Sequence, residues 1–348
     1  MLDMVLTPDN IQLSSPNNGV VGPQNTEQFA LNCTHEMSIV GSADQFLSVE
    51  SSGSISVDEL VRQSIAQSTR VAYDSDLRHF TAWGGTLPAS PAMIASYIAA
   101  YAGVLAVATI TRRVATLSKA HQALGKGNPC HAVLVKATLR GLRRKQGTAQ
   151  KQAKPLLKDE LFAILDPMGD SMKDVRDRAL LLLGFAGGFR RSELVGLDVA
   201  DIEFVRQGII ITLRHSKTDQ DDAGRKIGIP HGRTQHCPVA AVTAWLERSK
   251  IKQGSVFCPV TRYGHLQPVR LSGDAVSEVI RGRVAAIGID PEGYSGHSLR
   301  AGFATSAAQV GVSTFKIRAQ TGHASDAMLG RYIRDGELFI GNAAGVML

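Results

Sequence analysis

The sequence predicts a mainly α fold with a small antiparallel β-sheet, divided into two domains. Apolar residues recur at helical intervals through most of the chain, and one pair of short apolar strands flanks an acidic, glycine-containing turn. The length, 348 residues with 44% hydrophobic content, supplies material for two cores.

Residues 1–56 are rich in Asn, Gln, Ser, Gly and Pro and lack periodicity, so they are expected to form a disordered acidic tail. From 57 to 145 the apolar positions fall into helical sets: Leu60 and Ile65; Tyr73, Leu77 and Phe80; Met93, Ile94, Tyr97, Ile98 and Tyr101; Ile110, Val114 and Leu117; Val133, Val135, Leu139 and Leu142. Breaks at GGTLPASP and GKGNP divide them into four or five helices, packed as a small bundle. QGTAQKQAKP, residues 146–155, has no apolar anchor and reads as a linker.

The second domain, 156–348, begins with different composition. RDRALLLLGFAGG reads as a buried helix, followed by a break and a new start at FRRSELVGL. GIIITLRHSKTDQDDAGRKIGIP places strands at Ile209–Leu213 and Lys226–Ile229 around its turn, which makes a hairpin. PVAAVTAWLERSK, SGDAVSEVIRGRVAAIG and HSLRAGFATSAAQVG add helices between loops rich in Gly and Pro. The closing GELFIGNAAGVML is apolar but too short to make a core alone.

Charge narrows the function. Residues 1–61 hold eight acids and no Lys or Arg, so all 38 basic residues face only 23 acids in the remainder. Residues 111–150 carry nine Lys or Arg and no carboxylate. A solvated helical face normally mixes both signs, so this stretch reads as a surface for phosphates, with Arg112, Arg113, Lys119, Lys136, Arg140, Arg143 and Arg144 as candidate DNA contacts. Four scattered cysteines without C-x-x-C spacing fit reduced thiols in a cytoplasmic protein. No apolar run approaches 18 residues and the first basic residue is Arg62, so neither a membrane span nor a signal peptide is expected.

Chemistry concentrates in a few motifs, each with an ordinary structural reading beside it. In GHSLRAG, His297 and Arg300 lie one turn apart on a helix starting near Ser298, with Leu299, Phe303, Ala307 and Val310 as its buried stripe. That would group an imidazole, a guanidinium and free backbone amides at a positive helix end, suited to an oxyanion; a surface His beside a solvated Arg is the plain alternative. Arg190 follows the Gly187-Gly188 break and precedes Glu193 by three residues; it either caps carbonyls or forms, with Arg300, a fork for one phosphate. Lys217, on the hairpin, is either a solubilising edge residue or a proton donor to a leaving oxygen.

TGHASDAMLGRYIR sets His323 and Tyr332 nine residues apart, which on one helix would turn them about 180° away from each other. A turn at Gly322-His323-Ala324, an N-cap at Ser325 and a short helix from Asp326 would instead bring Tyr332 back beside His323. The tyrosine packs as a core residue four positions from Met328, or its hydroxyl attacks phosphorus with cations around it.

In order, R-x-x-E-L, a hairpin Lys, H-x-x-R, G-H and a Tyr nine residues beyond that His resemble the tyrosine site-specific recombinases, or phage integrase family. The match covers about Lys154 to Leu348, with the closing stretch nearest to the Cre-like members. The resemblance implies a helical-bundle DNA-binding domain plus a tyrosine-recombinase catalytic domain. It implies that Tyr332 forms a 3′-phosphotyrosyl link, that Arg190 and Arg300 clamp the scissile phosphate, and that Lys217 protonates the leaving 5′-oxygen. His297 would assist proton transfer with Tyr332, His323 would bond a non-bridging oxygen, and Glu193 would support the site. Cre-like members carry tryptophan at the position of His323, the wider family commonly histidine. Partners implied are double-stranded DNA with paired inverted repeats, a homo-tetramer on synapsed DNA built by docking of the closing segment onto a neighbour, and accessory DNA-binding proteins.

Such transesterification needs no metal, nucleotide or other cofactor. His215, His231, His236, His297 and His323 lack compact ligand spacing, which argues against a zinc hydrolase. A type IB topoisomerase and a non-catalytic DNA-binding regulator remain the alternatives.

Overall fold

The computed structural model describes residues 56, 64–147, 152–214, 224–323, 325–327, 329–330, 332 and 347. Most of the acidic tail, the hairpin tip with His215 and Lys217, part of the linker, Met328 and most of the closing segment lie outside the described residues. The chain divides into two compact units, Met1–Gln150 and Lys151–Leu348.

Among the described residues the first unit is built on α1 (Gln67–Ala82), α2 (Pro91–Ala100), α3 (Val107–Ala123) and α4 (Val133–Gln146). The GGTLPASP break ends at a cap where Ser90 Oγ accepts the Met93 amide and Pro91 supplies the first helical φ. Phe80, Ile94, Tyr97, Ile98, Ile110, Val114, Leu117, Val135 and Leu142 meet in one core. Val133, counted among the apolar series, is 84% exposed because it opens α4 before the helix reaches that core. At the bundle's polar seam Asp76, 3% exposed, accepts from Thr116 Oγ1 at 2.9 Å and pairs with Arg112 Nη2 at 2.9 Å.

The second unit surrounds α6 (Met172–Ala186), whose Ala179 through Leu183 are buried together. Packed on it are α8 (Pro238–Ser249) and α10 (Gly296–Gln309), while α5 (Lys158–Leu165), α7 (Arg191–Gly196), α9 (Gly273–Ala286) and α11 (Thr314–Thr321) complete the helical shell. The expected hairpin is present as β2 (Gly208–Leu213) and β3 (Arg225–Pro230), with Ile209 opposite Ile229 and Ile211 opposite Ile227. A strand absent from the sequence reading, β1 (Ile202–Val205), pairs antiparallel with β2 and makes a three-stranded sheet. Its IEFV pattern is too short to separate from a loop.

Two features fix α10. A strap runs along it, with the Lys154 amide on Gly293 O at 2.9 Å, the Leu156 amide on Ser298 O at 2.9 Å and the Lys158 amide on Ser306 Oγ at 3.1 Å. The strap fits because Gly302 has no side chain: a Cβ there would sit 1.7 Å from Leu156 O. Val310, placed in the buried stripe, is 74% exposed, since α10 ends at Gln309 and Val310 stands at its C-cap. Among the described residues no helix is long and apolar enough to cross a membrane.

Candidate active site

Helix α6 stops at Gly187, and the chain turns through buried Phe189 so that Arg190 becomes the N-cap of α7. Glu193, one turn into α7, accepts the Arg190 amide at 2.8 Å on Oε2 and Arg190 Nη1 at 2.5 Å on Oε1. The carboxylate is almost wholly buried, so its charge acts on the two nearest guanidinium groups, Arg190 and, at 3.8 Å, Arg225. Arg190 reaches onward with Nη2 to Gly322 O at 3.0 Å. Arg190 thus takes up a helix-end carbonyl, that of the residue capping α11.

Helix α10 starts at Gly296, and its first amides are not open. Gly296 donates to Ser277 Oγ at 3.1 Å, His297 to Ser295 Oγ at 3.3 Å, and Ser298 to Ser295 O at 2.9 Å. This corrects the expected set of free backbone amides: a serine-capped end has met its own donors. Arg300 is 1% exposed rather than solvated, and its Nη1 donates to Gly188 O at 2.8 Å and also to Thr321 O. Burial first, then the charge of Arg190, lowers its pKa to about 10, still cationic at neutral pH.

The turn expected after Gly322 is present. Helix α11 closes on Gly322 at φ +66°, a left-handed cap, and leaves His323 buried. Helical backbone resumes at Asp326 and includes Tyr332, with the Leu329 amide bonded to Ser325 O. Leu329 packs with Ala304, Ala308 and Ile317, and Tyr332 rests against that cluster. Its ring centroid lies 5.6 Å from that of His323 and 6.2 Å from that of His297. The Tyr332 hydroxyl meets His297 Nε2 at 2.7 Å.

The electrostatics favour neutral imidazoles. Desolvation, followed by Arg300 and Arg190, holds His297 below the ordinary histidine value, although part of its ring reaches solvent. The same cause dominates at His323, where burial and then Arg300, Arg190, His297 and Arg225 push the pKa down to about 3. Neutral His297 can accept a proton from the phenol beside it. The Thr321 hydroxyl, in contact with Ile317 O at 2.7 Å and with His323 Nδ1 at 2.7 Å, has one proton to give. If it goes to the carbonyl, Nδ1 carries the imidazole proton and Nε2 is an acceptor.

The structure thus gathers Arg190, Glu193, His297, Arg300, His323 and Tyr332 in one place; Lys217 is outside the described residues. Arg225, overlooked in the sequence, joins them from the first position of β3. The only sequence signal for it is strand alternation, which puts Arg225 on the same face as buried Ile227 and Ile229. In the first unit Lys119, Lys136, Arg140, Arg143 and Arg144 are exposed, and Arg112 is half exposed beside Asp76. Arg113 is turned inward: its side chain is 13% exposed, 3.5 Å from Asp76 and 3.2 Å from the Tyr97 hydroxyl. His236 is engaged with Asp166, and among the described residues no cluster of three His, Cys, Asp or Glu could hold a metal ion.

Comparison with known proteins adds kinship to this geometry. The phage integrase family profile matches residues 154–337. An integrase/recombinase xerD homolog of Selenomonas ruminantium is 38% identical over 304 residues, covering 84% of this chain and 89% of that one. The recombinase cre of Escherichia phage P1 is more distant, 25% identical over 300 residues, covering 79% and 86%. Among solved structures, XerH site-specific recombinase bound to palindromic difH substrate aligns with a TM-score of 0.63 at 17% identity over 95% of this chain and 91% of that one. A lambda integrase dimer bound to a COC' core site aligns at 0.56 and 20% identity over 79% and 74%. These two likenesses are of fold. The chain belongs to the phage integrase family and is a tyrosine recombinase, a DNA strand-transferring enzyme.

Proposed function

We propose that this recombinase cuts and rejoins duplex DNA at paired inverted repeats, with Tyr332 as the nucleophile. The observation that carries the assignment is the 2.7 Å contact of the Tyr332 hydroxyl with a neutral His297 beside buried Arg300 and partly buried Arg190. Tyr332 Oη attacks the scissile phosphorus and its proton passes to His297 Nε2. The phosphorus–5′-oxygen bond breaks, the 5′-oxygen takes a proton from Lys217, and a 3′-phosphotyrosyl ester holds the strand. Arg190 and Arg300 hold the non-bridging oxygens, where charge grows in the transition state. For His323 Nε2 to donate to the same phosphate, the imidazole must be the Nε2–H tautomer, its proton exchanged from Nδ1 to Nε2 and Nδ1 accepting the Thr321 hydroxyl proton in place of Ile317 O. The attack of a second strand's 5′-hydroxyl reverses each step.

The exposed cations Arg112, Lys119, Lys136, Arg140, Arg143 and Arg144 grip phosphates in this scheme, while Arg113 supports them from inside the bundle. The closing residues 338–348 dock onto a neighbour and close a tetramer on two sites, in a bacterial cytoplasm, with accessory DNA-binding proteins as further partners. A place near the Cre-like branch is supported by residues 295–334 and by the 25% identity to the recombinase cre of Escherichia phage P1 over 300 residues.

The test is covalent trapping on a nicked duplex carrying the inverted repeat that flanks the gene. Wild type yields a protein–DNA adduct at Tyr332 and Tyr332→Phe yields none while still binding. Adduct formation by the phenylalanine variant would overturn the assignment. Progressive relaxation of a supercoiled plasmid without that repeat would instead favour a type IB topoisomerase.

A further inference from the structure

We propose that Arg225 is a positioning residue of this active site, holding the Gly322 turn that presents His323 and supplies a carbonyl to Arg190. The proposal deepens the reading above and rests on it. A helix leaves its last carbonyls without partners, and at the end of α11 these are taken up by arginines from other elements. Arg225 Nη1 donates to Ala319 O at 3.2 Å and to Gln320 O at 3.0 Å. Arg300 takes Thr321 O and Arg190 takes Gly322 O. One helix end is thus shared among the two proposed phosphate ligands and a third arginine without a proposed role.

The guanidinium of Arg225 also shapes the turn sterically. A Cβ on Gly322 would lie 2.4 Å from Arg225 Nη1 and 2.7 Å from its Cζ, so the backbone of the turn packs flat against the guanidinium. The φ of +66° there is one that glycine adopts without strain. On its other side Arg225 Nη2 faces Glu193 Oε2 at 3.8 Å, a buried nitrogen with no hydrogen-bond acceptor. With Nη1 engaged by the two α11 carbonyls and Nη2 turned to Glu193, Arg225 acts through Glu193, Gly322 and His323. Gln320 adds a second tie across the same junction, from Nε2 to Ala186 O at 3.0 Å and Gly228 O at 3.4 Å.

A lysine cannot replace this group. An ammonium can carry the charge toward Glu193, but it has no planar surface to lay against Gly322 while reaching two carbonyls. Arg225→Lys and Arg225→Met therefore separate charge from shape. Both are made in the full chain and assayed on the nicked inverted-repeat duplex, with rates referred to the folded fraction from a thermal melt. Duplex affinity is expected within about three-fold of wild type, and single-turnover adduct formation at least about 30-fold slower in both variants. Without DNA, the ring resonances of His323 should shift while those of His121, in the first unit, stay. Restoration by lysine to within about three-fold of wild type, or adduct loss that follows duplex affinity alone, overturns the proposal. Should wild type form no adduct, the functional reading fails, and unmoved His323 resonances would independently sink the tether.

Discussion

Gly302→Ala should destabilise the second unit by roughly 1–3 kcal/mol, although alanine is the better helix former. The new Cβ would lie 1.7 Å from Leu156 O, 2.5 Å from Leu156 C and 3.0 Å from Leu156 N. These are backbone atoms, so no rotamer change relieves them. The strap must move away, which strains the fully buried Leu156 side chain and stretches the 2.9 Å bond from its amide to Ser298 O. Overpacking of this kind costs about 1–3 kcal/mol and the weakened hydrogen bond about 1 kcal/mol, against a helix-propensity gain near 1 kcal/mol. For a unit of this size the sum lowers the midpoint by roughly 2–12 °C. Trp245, fully buried with Nε1 on Val256 O at 2.7 Å, reports the transition by fluorescence once Trp83 is replaced by Phe. Gly282→Ala in α9, where a Cβ meets nothing within 4 Å, is the control and should be neutral or stabilising. A Gly302→Ala midpoint at or above wild type would refute the strap argument.

Other expectations follow from charge. Because His297 is held below its ordinary value, the fall of the adduct-forming rate with acid should have its midpoint below about 6.5, as the imidazole gains a proton and ceases to accept one; a midpoint at or above that value would contradict the assigned direction. His323, at about 3 when folded, binds its proton far more weakly than in the unfolded chain, so its contribution is intact above pH 6.5 and declines below it. The loss from this one group is about 1.4 kcal/mol at pH 5.5, and denaturant titrations should show a shallower acid decline in His323→Gln. Arg143→Ala and Arg144→Ala should each reduce the slope of log affinity against log salt by about 1. Arg113→Met should leave that slope nearly unchanged and instead lower the first unit's stability by about 1–3 kcal/mol, through the partner it strips from buried Asp76.

What could be read in advance was whatever rests on periodicity and order. The four described helices of the first unit, the β2–β3 pairing and the order of the candidate site residues up to Tyr332 all announce themselves within a few residues of their own chain. The turn at Gly322 was legible because two residues nine apart cannot share a helical face. Properties set by distant neighbours were hidden. Asp76 draws in Arg113 from a helix 37 positions downstream, so a stretch without carboxylates still met one. Ser277 closes the amide of Gly296, which made a helix end look more open than it is. Arg225 reads as one more hairpin cation until α11 folds over it.

The two carbonyls taken by Arg300 come from segments more than a hundred positions apart, at Gly188 and Thr321. One guanidinium therefore rivets the scaffold as well as serving the proposed reaction. Over evolutionary time these duties decay differently: a lineage that gave up strand transfer could discard the phenol at once and still be compelled to keep this arginine. Its presence in a distant cousin testifies to an intact architecture, and only the tyrosine testifies to a working enzyme.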